Sequence, residues 1–554
     1  MDSRLTLMSL RHISGLALGL LAGCEAASVS TKIAVRIINS PPTIESASYT
    51  LNEGASVSVL LDVDDVDNNI LTYTLVQEPR YGTFTGTPPN MTYTPASYFY
   101  GSDEIQVKVS DGEFESEVAT ISITVEAVNP IYYLSPTGSD FTGTVDDETK
   151  PYQSAQSAYT AAAANIASTV HIEVAPGDYN GIVLTAAWDS SVILHSDRTD
   201  PANLGGIWAN GVGGDPGTDL GANGYNVSFT GWDILIGNIS SQGAPSSTGN
   251  YTGGDGGTVT LSGVNVVAGA IAVTGGGISN PVGAWSPGNG GSVTLNSGVT
   301  SGEIYASGGT GGIEEGDSEL RPGDGGVVVV ESGATAATII SEGGYTSEGT
   351  AGSGGSVTVR GNSGGIWTRG GASFTGSVGT GAVGGAVTVT STGVAGAIYT
   401  MGGSGVLASG VGGEIVVEGT AGALNASGGS TLLSAGAGNP GGAGGAITVG
   451  VDPNGETGIT GDIISSGGTG GAASAGAAGG IGGAAGDVTV YSGAQVGSVT
   501  LMGGTGGAGN GAGAQGNGGA GGDLMVTLPA VYGDAVLTGG AGAVAGATGV
   551  LTED

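Results

Sequence analysis

Between Gly256 and Gly540 one short pattern of apolar and polar positions recurs nine times. It reads Gly-Gly-x-Val-Thr-Val, a turn, then Gly-x-Ile-x-x-x-Gly-Gly. The second glycine of the opening pair falls at Gly257, Gly291, Gly326, Gly355, Gly385, Gly413, Gly445, Gly486 and Gly522, at intervals of 28 to 41 residues. Two positions after each glycine stands an aliphatic residue, from Val259 and Val293 through Val387 to Leu524. Four positions after it stands another, from Leu261 and Leu295 through Val389 to Val526. Alternate residues of a strand share a face, so the two columns predict one buried side. The residue between them is threonine in six of nine units and is expected to face outward. A second short strand is expected around Ile271, Ile304, Ile339, Ile366, Ile398, Leu424, Ile463, Val499 and Ala535, each facing inward. Supersecondary units repeating at this period predict a stacked solenoid, with each unit one coil.

The segment after each second strand varies in length, which places the length differences on one side of the solenoid. Residues 467–486 and 503–522 are almost wholly Gly, Ala, Ser, Thr and Asn. Such tracts are compatible with flexible loops or with packed polyproline-II-like segments, and a mixture is expected. Glycine at 116 of 554 residues would suggest disorder if unpatterned, but the fixed aliphatic columns argue for order.

Charge narrows the function. The chain carries a formal net charge of −37. Such a surface repels nucleic acid and attracts cations. Arg4, Arg11 and His12 precede an apolar run at 13–21, followed by Leu21-Ala22-Gly23-Cys24. A charged start, a short apolar stretch and small residues predict a secretory signal over 1–23, too short to span a bilayer. The tetrapeptide resembles the lipobox of bacterial lipoproteins, which implies that Cys24 is lipidated and becomes the mature N-terminus. Cys24 is the single cysteine of the chain, so no internal disulfide forms. The expected location is therefore exported and membrane-anchored, at the outer membrane or cell surface, with residues 24–40 as a tether.

Residues 41–128 change character. Runs such as 56–61 and 105–109 alternate with turn residues, and about seven short strands at this spacing predict a β-sandwich. Asn52-Glu53-Gly54, Asp65-Val66-Asp67-Asn68-Asn69, Pro79-Arg80-Tyr81-Gly82-Thr83, Tyr100-Gly101-Ser102-Asp103 and Ser110-Asp111-Gly112 carry a likeness. With them the segment resembles the cadherin-like, Ig-like repeats of bacterial surface proteins. That resemblance implies calcium as cofactor, with Glu53, Asp65, Asp67, Asn69, Asp103 and Asp111 as ligands. Calcium takes six to eight oxygens, which clustered acids supply. The competing reading makes the 65–69 stretch an Asx-rich turn.

Residues 130–250 are expected to form a leading cap and irregular early coils, ahead of glycine-rich repeats over 251–545. Tyr132 to Asp140, Lys150-Pro151-Tyr152 and Val170 to Tyr179 resemble the opening of secreted right-handed parallel β-helix proteins of the pectin-lyase-like class. The alanine-rich run from Ala155 lacks Gly and Pro and predicts a short capping helix. The fold class is thus all-β: a small sandwich, then a parallel β-helix with one helix at its start. Trp188, Trp208 and Trp232 are read as core or stacking plugs.

Catalytic chemistry finds little support. The last lysine is Lys150, and the later bases are Arg198, Arg321, Arg360 and Arg369. A lyase needs such a base beside acids, and a hydrolase needs paired carboxylates. The densest acidic group of the repeats, Glu314-Glu315 with Asp317, falls in a variable segment and reads as a solvated loop. No histidine follows His195, which removes Ser-His chemistry from the repeats. The preferred function is a lipid-anchored structural or adhesive surface protein, touching extracellular polysaccharide or a neighbouring surface protein. The alternatives are a polysaccharide-active enzyme and an ice- or crystal-surface binder using the outward threonines. One outcome follows directly: Cys24→Ser releases the protein from membranes into the soluble exported fraction, and unchanged membrane association on fractionation contradicts the anchor.

Overall fold

The computed structural model describes residues 39–553, apart from 68–69, 165–169, 185–191, 197–201, 211–221, 246–251, 278–285, 312–321, 348, 375–378, 433–437, 451–457, 475, 511–512 and 528–529. Cys24, the signal segment, Asn69, Trp188, Arg198, Arg321 and the Glu314-Glu315-Asp317 group lie outside the described residues. The chain divides into two compact units. Asn52–Gly54, Ala96–Gly101 and everything from Val125 onward belong to the second.

The first unit is a β-sandwich. Apart from the end residues Asn52, Gly101, Val125 and Glu126, which fall in the second unit, it comprises β1 (Thr43–Ile44), β2 (Ala47–Asn52), β3 (Val57–Leu60), β4 (Val63–Asp64), β5 (Thr72–Gln77), β6 (Gly82–Thr87), β7 (Asn90–Pro95), β8 (Gly101–Ser110) and β9 (Ala119–Glu126). They form a four-stranded sheet in the order β2-β9-β8-β5 and a three-stranded sheet in the order β3-β7-β6, with β1 paired to β4. Alternation explains the core: Ile105, Val107, Val109, Ile121 and Ile123 are all buried, while their neighbours along β8 and β9 reach the surface. The nine strands recorded exceed the expected seven because two are two-residue pieces.

The second unit opens with β10 (Ile131–Leu134), helix α1 (Ala155–Ala164) and β11 (Val170–Val174). Ala155, Ala158, Tyr159 and Ala162 of α1 are buried at the i, i+3, i+4, i+7 spacing of one helix face. They join one core cluster with Tyr132, Leu134, Val170 and Ile172. From β10 a sheet of twenty strands runs to Leu551–Glu553, and a second sheet of twelve runs from Ile182–Val183 to Ala535–Thr538. The pairings recorded in both are parallel, as in β10 with β11 and Val488–Val490 with Leu524–Val526. The early coils are not a separate layer: Val227–Ile236 pairs directly with Thr258–Ala268 in the same sheet.

The repeat register holds strand by strand. Val259 pairs with Val293, Val293 with Val328, Val357 with Val387, Val387 with Ile415 and Val488 with Leu524. Ile271, Ile304, Ile339, Ile366 and Ile398 align in the same way in the second sheet. All of these are buried in one continuous core. Ala535 departs from the expectation, because it is exposed at the outermost strand, beyond which no strand pairs in that sheet among the described residues. The link between the two strands also carries a short strand in five coils, such as Thr335–Ala336 and Asn362–Ser363, which continues the twenty-stranded sheet.

The glycines mark the tightest contacts. A Cβ on Gly291 would lie 2.0 Å from the carbonyl oxygen of Gly257, one on Gly326 1.8 Å from that of Gly291, and one on Gly355 1.9 Å from that of Gly326. The same relation continues through Gly385, Gly413, Gly445, Gly486, Gly522 and Gly549. Buried hydroxyls then tie the second strands to this column: Ser341 Oγ donates to the Gly326 carbonyl at 2.7 Å and Thr400 Oγ1 to the Gly413 carbonyl at 2.8 Å.

The described parts of the tracts 467–486 and 503–522 are packed and ordered. Gly467, Gly470, Ala473, Gly476, Gly479, Gly482 and Ala485 each donate a backbone N–H to the next coil, every third residue in turn. A period of three is that of polyproline II. Burial follows it: Gly503, Gly504, Gly506 and Gly507 are buried, while Thr505 and Ala508 are exposed. Each tract runs out and back, with Gly480 and Gly483 of the return leg donating to Gly471 and Gly468 of the outgoing one, and Gly476 at φ 80 near the tip. The recurring Gly-Gly-x triplet, two crowded positions and one free, is the sequence signal of this arrangement.

Two substitution pairs test the architecture. Val387 is buried and Thr388 partly exposed. Val387→Asp therefore buries an unpaired carboxylate and costs on the order of 3 kcal/mol or more, whereas Thr388→Asp costs at most about 1 kcal/mol. Because neighbouring repeats support one another, hydrogen exchange reports the loss in adjacent coils as well. Equal loss of protection in both variants contradicts the inward and outward columns. A Cβ at position 483 would lie 2.0 Å from the Gly442 carbonyl oxygen. Gly483→Ala is expected to lower the melting temperature by overpacking worth about 1–3 kcal/mol, while Thr505→Ala on the exposed column leaves it nearly unchanged.

Candidate functional site

The six expected calcium ligands are placed in different surroundings. Asp103, near the start of β8, is buried. Its Oδ1 accepts the backbone N–H groups of Arg80 and Glu104, and its Oδ2 accepts the N–H of Tyr81 and the hydroxyl of Tyr93, all at 2.9 Å. Four donors make Asp103 a tie between β8 and the chain entering β6. Burial, with Asp103 alongside, pushes the Tyr93 phenol far above its ordinary value. Asp111 closes an Asx turn: its Oδ1 accepts the N–H groups of Glu113 and Phe114 at 2.7 Å, and its Oδ2 accepts the Asn39 amide at 2.9 Å. Asp65 Oδ1 accepts the Asp67 N–H at 2.9 Å, and Asp67 Oδ2 accepts the Ser40 N–H at 2.7 Å. The adjacent residues Asn39 and Ser40 thereby connect Asp111 and Asp67. Among the described residues, no three His, Cys, Asp or Glu side chains gather as a metal site requires.

Glu53 serves a third environment, inside the second unit. Its carboxylate accepts the Asn129 side-chain amide at 3.0 Å, the Val128 N–H at 3.4 Å and the ring of His171 at 3.1 Å. Burial works to raise the Glu53 pKa, but these donors and the nearby His171 outweigh it and hold the carboxyl below its ordinary value. His171 Nδ1 lies 3.2 Å from His195 Nε2. His195 is stacked on Trp232 with ring centroids 4.5 Å apart, and Tyr100 packs against both histidines. Burial, reinforced by His171, drives the His195 pKa well below its ordinary value, although the Tyr98 backbone works against it. This cluster was not legible beforehand: His171 and His195 stand 24 residues apart and become neighbours because β11 pairs in parallel with β13 (Val192–Ser196), one coil on. Trp232 is core, as expected, while Trp208 is exposed and its ring fills the space a side chain would need at Gly181 and Gly206.

Beside the cluster lies a cavity of about 610 Å³. Tyr100, Tyr133, Ser135, Thr137, Glu148, Glu173, His195 and Ser196 contribute to its lining. Parallel pairing builds the wall, since β10 supplies Tyr133, β11 supplies Glu173 and β13 supplies His195 in one register. The Tyr100 hydroxyl donates to Glu173 Oε2 at 3.1 Å. Partial desolvation, with Glu148 adding to it, lifts the Glu173 carboxyl above its ordinary value against the pull of the Tyr100 hydroxyl and His171. Chemically, the cavity offers carboxylates, hydroxyls and aromatic edges.

Comparison with known proteins bears on the first unit. Residues 39–124 match the family described as a bacterial Ig domain. The chain is therefore a bacterial Ig-like domain followed by long all-parallel sheets of the β-solenoid kind. No curated protein matches it. Among solved structures, the chain is similar to an endo-fucoidan hydrolase, MfFcnA4 from glycoside hydrolase family 107, at 20% identity and a TM-score of 0.15. That likeness covers 18% of this chain and 18% of the hydrolase, so the chain spans under a fifth of the hydrolase's length. A chimeric titin Z1Z2 is 14% identical over 16% of this chain and 99% of its own, at a TM-score of 0.13. The ZirS C-terminal domain is 17% identical over 23% of this chain and 97% of its own, at a TM-score of 0.12.

The buried histidine gives a pH dependence of definite sign. With its folded pKa depressed, neutral His195 leaves stability intact above the unfolded histidine value of about 6.5 and loses it as pH falls from there toward the folded value. The Glu53 contribution has the same direction but a lower window, being lost only as pH falls below the carboxylate range. The melting temperature is thus expected to decline between about pH 7 and pH 5, with a flatter profile in His195→Gln. Parallel profiles for the two proteins contradict this assignment.

Proposed function

We propose that this chain is an exported, lipid-anchored surface protein whose solenoid is a rigid scaffold for adhesion to extracellular glycans or neighbouring surfaces. The observation that carries the reading is the succession of a bacterial Ig-like domain at 39–124 and a solenoid whose repeat columns are aliphatic, glycine or hydroxyl. Bacterial Ig domains point to export and surface display. An interior of this composition holds shape rather than reactive groups. Net charge of −37 directs the surface away from nucleic acid and other polyanions. A glycan array tests the glycan part of the reading: retention of intact glycans without turnover supports it, and a blank array contradicts it.

The enzyme alternative has one observation in its favour, two glutamates lining a single cavity. Release of reducing or unsaturated sugar ends from a retained polysaccharide would replace the adhesive reading with that one. The proposal extends to calcium at the sandwich, where Asp65, Asp67 and Asp111 are linked through Asn39 and Ser40 but do not gather as they stand, so that binding would draw them together. Binding to the native state raises the melting temperature. A higher melting temperature of the full chain in millimolar calcium than in chelator, lost in Asp67→Asn, supports it, and coincident curves contradict it.

A further inference from the structure

We propose that the cavity walled by Tyr100, Tyr133, Glu148 and Glu173 is a binding site for an amine-bearing sugar, such as a glucosamine unit of a deacetylated glycan. The inference rests on the glycan-contact reading above and names the ligand class of one site within it.

Size comes first. At about 610 Å³ the cavity falls within the roughly 300–1,000 Å³ of small-molecule sites and holds one or two sugar rings. Charge comes next. Among the described residues, two carboxylates line it and neither lysine nor arginine does. Lys150, next to the lining residue Thr149, is bonded to Asp147 at 2.9 Å. His195 contributes no positive charge, since burial holds it neutral. The two carboxylates disfavour an anionic ligand, and a neutral sugar gains hydrogen bonds but no charge pairing. An ammonium gains from both carboxylates and from the tyrosine rings.

The lining chemistry accounts for the rest of such a ligand. Ser135 and Thr137 hydroxyls stand 3.0 Å apart on the same wall and suit the ring hydroxyls of a sugar. Tyr100 is fixed on one side by His171 and His195 and on the other by its bond to Glu173, so the wall is rigid before the ligand arrives. Partial desolvation and the neighbouring Glu148 disfavour the charge of Glu173 despite its bond to Tyr100, and an ammonium beside it relieves both. An ammonium favours the ionised carboxyl, so affinity falls as pH drops into the carboxylate range.

The test titrates the full chain at pH 7 with the glucosamine disaccharide and with its N-acetylated counterpart. The expected result is measurable binding of the free amine, at least about tenfold weaker binding of the acetylated sugar, and weakening at pH 4.5. Glu173→Gln is expected to lower the affinity about tenfold, while Asp324→Asn, an acid outside the cavity, leaves it unchanged. Melting curves of both variants confirm the fold. Equal affinity for the two sugars, or equal loss in Glu173→Gln and Asp324→Asn, overturns the site in favour of acetyl-blind or non-specific charge binding. A protein that holds neutral glycans on the array yet ignores glucosamine overturns this inference alone. One that is silent in both experiments overturns the glycan-contact reading with it.

Discussion

The contact on which the solenoid depends is the one between a glycine of one coil and the carbonyl of the glycine below it. At Gly291, Gly326, Gly355 and onward to Gly549, the place a Cβ would occupy lies within about 2 Å of the preceding glycine's carbonyl oxygen. Parallel strands stack roughly 4.8 Å apart, and a bend between strands that keeps this spacing leaves no room for a side chain on its inner side. These glycines are required by crowding and not by a left-handed backbone, since none of them has a positive φ. Buried Ser341, Thr368, Thr400 and Ser465 then satisfy glycine carbonyls that would otherwise be lost in the core.

The same economy extends outward in the polyproline-II-like legs. A leg without internal hydrogen bonds is stable only if its N–H groups find partners elsewhere. Here they find them in the coil above and in the opposing leg, and glycine at two of three positions lets the backbones come close enough to bond. One consequence is a surface of small uncharged residues on a strongly acidic chain. Another is rigidity in segments whose composition, taken alone, suggests flexibility.

Asx side chains run a related device along the turns. Asn223, Asp255, Asn289 and Asp324 each accept the backbone N–H of the corresponding residue one coil on. Asn and Asp alternate in this ladder, so like charges sit two coils apart instead of one. The alternation reduces repulsion that the same ladder made only of aspartate would carry.

Much of the fold was legible in the chain because the repeat states its own constraints. Val387, Val389 and Ile398 occupy buried positions in the coil expected of them, since period-two alternation and a repeated glycine pair leave little choice of register. The Gly-Gly-x tracts were ambiguous because a triplet of small residues specifies a conformation only when a neighbouring leg supplies the hydrogen bonds. The sandwich acids were read as one group from their motif, yet hydrogen bonding assigns Asp103 to four protein donors, Asp111 to a turn and Glu53 to His171. What the sequence by itself determined is the two main strands of each coil, their faces up to the outermost strand and the stacking order, all of them local or periodic properties. Only the tertiary structure decided the cavity of Tyr100, Tyr133, Glu148 and Glu173 and the neighbouring His171–His195 pair, because stacking β10, β11 and β13 juxtaposes residues that no spacing along the chain connects.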